Sequence, residues 1–506
     1  MVGYILAIDQ GTTSNRAAIF DHDHNLVAMS QQEHDCIFPK PGWVEQDAEL
    51  ILANTIAVIH EVMAKARLSP ADLAGIGIDN QTETTVIWDK ATGKPIYHAI
   101  VWQDSRGQEL IDSYLTASTR ERVSAITRLP CMSYLSMSKI LWLLANIPNA
   151  RERAAAGELC MGSMDSWLTW NLTGGPNGGV HVTDPSNASR MLLMDMEKLE
   201  WSQEVAAIFE VPLQLMPKIV PSGEVVGTGI AAAGIAGVPL AARIGDQQAA
   251  AFGQACFEPG SVKCTYGTGT FLIANTGTDI VSSTAGLLTT VIYQIGEGPA
   301  CYGLEGSVAV TGSLIQWLRD SLQLIEHSAE SETLANSVRD NAGVYLVPAF
   351  SGLYAPRWRY DARGTIVGLT RYATKAHLAR AALEACAFQT GELIDAITTD
   401  WNRRPLELKV DGGMTANSFL MQIQADLLDM PVVLPAQPEA TVAGVASAAG
   451  LAVGIWSGIE ELAASWTESR RWTPTMDTDV RQALWRDWNR AVERSLGWAE
   501  EAAPQE

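Results

Sequence analysis

Residues suited to phosphate chemistry occur twice in this chain, at corresponding points of a repeated pattern. Asp9-Gln10-Gly11-Thr12-Thr13-Ser14 lies between two apolar runs. It offers backbone N–H groups and consecutive hydroxyls to phosphate oxygens, and Arg16 adds charge. An aspartate ending a buried strand, as Asp9 does here, can hold Mg²⁺ through water. Gly267-Thr268-Gly269-Thr270 has the same character. Each alone is equally a hydroxyl-rich hairpin turn, but two facing hairpins clamp a polyphosphate from both sides. In Val410-Asp411-Gly412-Gly413-Met414-Thr415-Ala416-Asn417 a strand ends in two glycines that let backbone approach a flat ring. Asn417 opens the next helix, as a ligand contact or simply as its N-cap.

Asp246 follows the apolar run Leu240–Ile244 and precedes an Ala-rich segment. That position suits an N-cap. It suits equally a general base that takes a proton from a substrate hydroxyl and shares a metal-bound water with Asp9. Asn80-Gln81-Thr82-Glu83-Thr84-Thr85 and Val101-Trp102-Gln103-Asp104-Ser105-Arg106 each follow a strand candidate, where open α/β sheets bind ligands. Their amides and carboxylates match hydroxyl groups, and Trp102 can pack a carbon face. Two further glycine motifs fail on context. Gly227-Thr228-Gly229-Ile230-Ala231-Ala232 lacks a βαβ frame, and Gly93-Lys94 runs into Pro95 without the upstream glycine of a phosphate loop.

The elements that position these residues alternate between strand and helix. Tyr4–Ile8, Arg16–Phe20 and Leu26–Ser30 read as a strand meander, followed by a helix over Glu49–Ala66 and a buried strand at Gly75–Ile78. The pattern restarts at Gly260–Thr265, turns through 266–271 and continues at Leu272–Ala274. This repeat predicts two related α/β domains, 1–255 and 256–506, joined near Ala255–Gly260. Helices are expected at Lys375–Thr399, Ser418–Leu428 and Asp479–Glu501, before a final Ala-Ala-Pro-Gln-Glu.

Composition narrows the class. With 47% hydrophobic and 18% charged residues over 506 positions, the chain is globular rather than disordered. A formal charge of −22 excludes a nucleic-acid partner, which needs clustered Lys and Arg. The longest small-apolar stretches, Gly229–Gly245 and Val442–Trp456, fall short of the ~18–20 residues of a membrane span, so no membrane insertion is expected. Met1–Ile8 has no basic start, and the seven cysteines contain no C-x-x-C pair. A cytoplasmic protein with reduced, buried thiols is the expectation.

Several longer runs carry a resemblance. Ile8-Asp9-Gln10-Gly11-Thr12-Thr13-Ser14-x-Arg16, Pro39-Lys40-Pro41-Gly42-Trp43-Val44-Glu45-Gln46-Asp47, Val101-Trp102-Gln103-Asp104, His181-Val182-Thr183-Asp184, Ala188-Ser189-Arg190, Gly245-Asp246-Gln247-Gln248-Ala249-Ala250 and Gln316-Trp317-Leu318-Arg319-Asp320 resemble the FGGY carbohydrate kinases, and within them those acting on glycerol. The resemblance spans residues 4 to about 456. It implies two actin-like (ribonuclease H-like) domains closing on ATP, Mg²⁺ and a small polyol. Thr12, Thr13, Ser14 and Arg16 would meet the terminal phosphates. Gly267, Thr268, Gly312, Gln316, Gly413 and Asn417 would hold the nucleotide. Asp9 and Asp246 would position magnesium, with Asp246 also the base. Thr82, Glu83, Trp102, Tyr134, Asp246, Gln247 and Phe271 would line the polyol pocket. The implied reaction is ATP-dependent phosphorylation of a terminal hydroxyl, with glycerol the first candidate. A tetritol, pentitol or ketose kinase and a non-catalytic binding relative are the alternatives. A homodimer or homotetramer is implied as well.

The chain departs from the family pattern at three places. Thr82 stands where an arginine grips the substrate, which predicts a roomier, more acidic site around Glu83 without its neighbouring cation. The run Cys131–Met137 differs after Tyr134, and Tyr354 adds bulk, so Met137 or Tyr354 refilling that space is the competing expectation. Ala231–Val238 has no arginine for a sugar bisphosphate, and Val480 replaces the glutamate of a phosphotransferase-protein patch, so neither mode of regulation is expected.

Overall fold

The computed structural model describes residues 3–499, folded around two large sheets. The first runs, from one edge to the other, Gly223–Thr228, Pro239–Gly245, Leu73–Asn80, Tyr4–Gln10, Ser14–Phe20 and Leu26–Glu33. Its last three strands are the antiparallel meander expected from the sequence, while Tyr4–Gln10, Leu73–Asn80 and Pro239–Gly245 are parallel neighbours. The second sheet repeats the plan. Val262–Tyr266, Thr270–Gly277 and Cys301–Val308 form the meander, and Leu408–Asp411 and Val432–Pro435 are the parallel strands. Leu288–Tyr293 and Glu468–Trp472 close its two edges.

Composition explains why the parallel strands lie inside. Ile5 to Ile8 and Leu240 to Ile244 are apolar on both faces apart from Arg243, and nearly all are fully buried, as a strand covered by helices on both sides requires. Helix Ala48–Ala66 covers one face. Asp47 caps it by accepting from the backbone N–H groups of Glu49 and Leu50, and Ile51, Val58, Ile59 and Val62 point inward. The helices expected at 375–399 and 418–428 are observed at Lys375–Trp401 and Ser418–Leu428. The C-terminal helix is shorter than expected. It spans Thr478–Ser495: Leu496 leaves it with an extended backbone, and Gly497 follows at a positive φ of 65°. Residues 500 and 501 of the expected helix and the terminal Ala-Ala-Pro-Gln-Glu lie outside the described residues. Six of the seven cysteines are buried, and all seven are free thiols. Among the described residues no helix is long and apolar enough to cross a membrane.

The other face of the first sheet is covered by a helix from late in the chain, Ala440–Ala452. Val442 and Val445 share a core with Ile5, Ala7, Ala241 and Ile244. This helix also crosses Asp246–Gly253 at contact distance between backbones. A Cβ placed on Gly253 would lie 2.0 Å from the Ala440 carbonyl oxygen, and one on Gly444 would lie 1.9 Å from that of Ala249. Two glycines, one on each helix, are therefore a condition of the crossing. Gly444→Ala forces rigid backbone apart and is expected to cost about 1–3 kcal/mol or more. A clear drop in the thermal unfolding midpoint checks it, and an unchanged midpoint would mean that the crossing yields freely.

Candidate active site

Three carboxylates mark the ends of the three adjacent parallel strands of the first sheet. Asp9 is paired in register with Asp79 on the neighbouring strand, and Gly245, one residue before Asp246, is paired with Asn80. Both carboxylate oxygens of Asp79 are buried without a hydrogen-bond partner. Burial, and then the charge of Asp9, hold the Asp79 carboxyl well above the ordinary carboxylate range. Burial raises Asp9 as well, against the opposing pull of Arg16. Arg16 lies 3.8 Å from Asp9 and 3.2 Å from Glu439, the residue that precedes helix Ala440–Ala452.

Asp246 is the first residue of its helix, and Gly245 occupies the N-cap position, so Asp246 does not cap the helix. Its carboxylate accepts only from its neighbour, from the Gln247 backbone N–H at 2.8 Å and from Gln247 Nε2 at 3.1 Å. Burial pushes it up to about 7, with Lys263 acting in the opposite direction. A carboxyl so placed exchanges protons near neutrality, as a general base should. Orphaned acidic oxygens of Asp79 beside Asp9 and Asp246 fit a divalent cation. Among the described residues no group of three or more His, Cys, Asp and Glu is placed to hold a metal by itself.

Next to these acids is a small cavity of about 90 Å³. Thr82, Glu83, Trp102, Tyr134, Asp246, Gln247 and Phe271 all line it, together with Thr12, Gln81 and Glu305. Glu83 is held in the left-handed region, φ 60°, which a side chain rarely adopts. Hydrogen bonds fix it there: its carbonyl accepts from the hydroxyls of Thr85 and Ser136 at 3.0 and 3.1 Å. Trp102 stands edge-on to Tyr134 and Phe271, and its Nε1–H donates to the Thr12 hydroxyl at 3.0 Å.

Glu83 is not left without a neighbouring cation, contrary to the expectation from Thr82 alone. Arg190, fully buried, donates from Nε to Glu83 Oε1 at 2.6 Å, and the Thr82 hydroxyl donates to Oε2 at 2.7 Å. The same guanidinium lies 3.4 Å from Glu305, and its Nη1 and Nη2 have no hydrogen-bond acceptor. Neither candidate for refilling the space enters it. Met137 is buried in an apolar cluster with Leu135 and Ile140, and Tyr354 lines the wider adjoining cleft. Asp79, Arg190, Glu305 and Lys263 were not singled out from sequence, although Arg190 stood within a quoted run. Lys263 is fully buried and donates to Gln247 Oε1 at 2.5 Å.

The wider cleft, about 1020 Å³, opens from the same place and is lined by Thr12, Thr13, Trp102, Thr268 and Phe271 among others. Ser14, Arg16, Gly267, Gly312, Gln316, Gly413, Asn417 and Asp9 line neither cavity. Several of them converge nonetheless. Gly312 N–H and Ser313 N–H donate to the carbonyls of Gly267 and Thr268, bringing the second hairpin against the start of helix Gly312–Asp320. Gly412, at φ 90°, passes so close to Tyr266 that a Cβ would sit 2.5 Å from its carbonyl oxygen. Gly413 follows it, exposed and with nothing within 4 Å of its Cβ position. Asn417 caps helix Ser418–Leu428 through Leu420 N–H, and Gln316 is exposed on its helix.

The chain is similar to known proteins in sequence pattern, in sequence and in fold. The sequence pattern of the FGGY family of carbohydrate kinases matches residues 4–253 for its N-terminal domain and 262–453 for its C-terminal domain. A glycerol kinase of Renibacterium salmoninarum is 55% identical over 501 residues, covering 99% of both chains. A glycerol kinase of Chloroflexus aggregans is 53% identical over 500 residues, 99% of this chain and 100% of the other. The crystal structure of Plasmodium falciparum glycerol kinase with ADP superposes with a TM-score of 0.92 at 36% identity, covering 98% of each chain. A ligand-bound xylulose kinase from Lactobacillus acidophilus shares the fold, with a TM-score of 0.86 at 19% identity.

The Thr82 hydroxyl is one of two donors that define the Glu83 carboxylate. Thr82→Val keeps the shape and removes that donor, and a hydrogen bond to a buried charge is worth about 1.5–3 kcal/mol. The KM for the ligand of the small cavity should rise roughly ten- to a hundredfold. Equal KM values in the variant and the parent would show that Arg190 alone holds Glu83.

Proposed function

The chain belongs to the FGGY family of carbohydrate kinases, and on that premise we propose that its cleft transfers the terminal phosphoryl group of ATP to a terminal hydroxyl of glycerol, giving glycerol 3-phosphate. It is an ATP-dependent carbohydrate kinase with the two-domain, actin-like fold of that family. The observation that carries the glycerol reading is the small cavity itself. Every residue assigned to the polyol lines it, and the Asp246 carboxyl is among them. Its modest volume beside the much larger cleft suits a short polyol.

In this reading Glu83, fixed by Arg190 and Thr82, accepts from two polyol hydroxyls, while Trp102 and Phe271 pack the carbon chain. Asp246 accepts the proton of the attacking hydroxyl as the new O–P bond forms and the bond to ADP breaks. Thr12, Thr13, Ser14 and Arg16 orient the terminal phosphates. Gly267, Thr268, Gly312, Gln316, Gly413 and Asn417 hold the rest of the nucleotide. Asp9 and Asp246 would hold Mg²⁺ through water, and Mg²⁺ when bound neutralises charge on the transferring phosphate. Residues 1–255 and 256–506 act as the two closing domains. The enzyme works in the cytoplasm as a homodimer or homotetramer. Neither a sugar bisphosphate nor a phosphotransferase protein regulates it, because Ala231–Val238 offers an anion no charged side chain and Val480 stands in place of the glutamate of the protein patch.

Asp246→Asn keeps the shape of the base and removes its proton affinity. Turnover of glycerol is expected to fall at least about a hundredfold, the low end for a positioned base. ATP affinity should survive. Steady-state ADP release, with calorimetric ATP titration of the same variant, makes the check. Parental turnover would remove Asp246 from the mechanism.

A further inference from the structure

Lys139 is a buried cation that the reaction does not use. It belongs to the first turn of helix Ser136–Asn146 and is 1% exposed. Both circumstances disfavour an ammonium there: burial strips its water, and a helix N-terminus carries partial positive charge. Burial lowers its pKa to about 7. Glu83 and Asp104 oppose that effect through space, but neither bonds to the ammonium. Glu83 is committed to Arg190 and Thr82, and Asp104 to Arg106 and the Val44 N–H. The ammonium turns back instead onto the loop before its own helix, donating to the carbonyl oxygens of Ser133 at 2.7 Å, Tyr134 at 2.6 Å and Leu135 at 3.3 Å. Three donors thus meet three consecutive backbone acceptors.

The loop held in this way carries one wall of the polyol cavity. The Tyr134 ring lines it, edge-on to Trp102 with centroids 5.9 Å apart and with the Arg190 guanidinium 5.6 Å from its centre. The other side-chain hydrogen bonds to residues 133–135 come from neutral groups: Gln108 accepts from the Ser133 N–H, and the Ser138 hydroxyl donates to the Ser133 and Leu135 carbonyls. We infer that Lys139 is a positioning residue for the polyol site, its ammonium gathering the 133–135 carbonyls so that the Tyr134 ring stands where the polyol carbon chain packs.

The inference rests on the kinase reading above, and glycerol phosphorylation by the parent enzyme tests that reading first. The variants K139M, K139Q, Y134A and K139M/Y134A are then assayed with glycerol and ATP. K139M is expected to raise the glycerol KM about tenfold, the size of one lost charge-assisted contact. The KM for ATP should stay within about twofold, as a local effect on one substrate's site requires. K139Q, which keeps two N–H donors, should fall between parent and K139M, and it serves if K139M does not fold. In the Y134A background, K139M should add little, because the ring it positions is already gone. Glycerol and ATP KM values that rise together, or an effect of K139M undiminished by Y134A, would overturn the assignment and leave Lys139 a general structural residue.

Discussion

The site depends on one buried guanidinium. Arg190 is fully shielded from solvent and meets Glu83, at the end of a strand of the first sheet, and Glu305, within a strand of the second. Two buried carboxylates facing one cavity would repel one another and lose their hydration, a cost that falls steeply once a cation is shared between them. Arg190 supplies that cation and at the same time joins the two halves of the fold across the cavity. The left-handed backbone of Glu83 is tolerable because the side chain has a fixed partner and the carbonyl has two. Near this point Asp79, at a neighbouring strand end, stays buried with neither carboxylate oxygen bonded.

Much of this arrangement was legible in the amino-acid sequence, for identifiable reasons. The two meanders were readable because short apolar runs interrupted by Gly and Thr have few alternative structures, and their recurrence implied a duplicated plan. The resemblance then assigned Tyr134, Gln247 and Phe271, which residue type alone would not have distinguished from ordinary core and loop positions. What stayed hidden was partnership over long sequence distances. Asp79 lay one residue beyond the expected end of its strand, and only the register with Asp9 reveals it as a second acid. Arg190 and Glu83 are separated by 107 positions, so the cation that answers Glu83 could not be found by inspecting Thr82 and its neighbours. The expectation of an acidic gap failed because it counted charges along the chain, whereas compensation occurs through space.

Local signals also misled where two roles share one residue type. Asp246 begins a helix, as a cap would, yet the cap position belongs to Gly245, and the carboxyl accepts only from Gln247. Asn417 shows the opposite outcome, for it does cap its helix. Nothing within a few residues of either one distinguishes the two cases. Asp246 follows its strand directly, whereas Asn417 is reached through a 3-10 turn at Gly413–Ala416.

The bond between Arg16 and Glu439 has a consequence for ionic strength. Arg16 is not a bare cation awaiting an anion, since a carboxylate from the start of helix Ala440–Ala452 already lies 3.2 Å away. A phosphate that engages Arg16 replaces one negative partner with another, so few small anions from solution are released at this arginine. Dissolved salt therefore weakens both partnerships together and largely cancels from their difference.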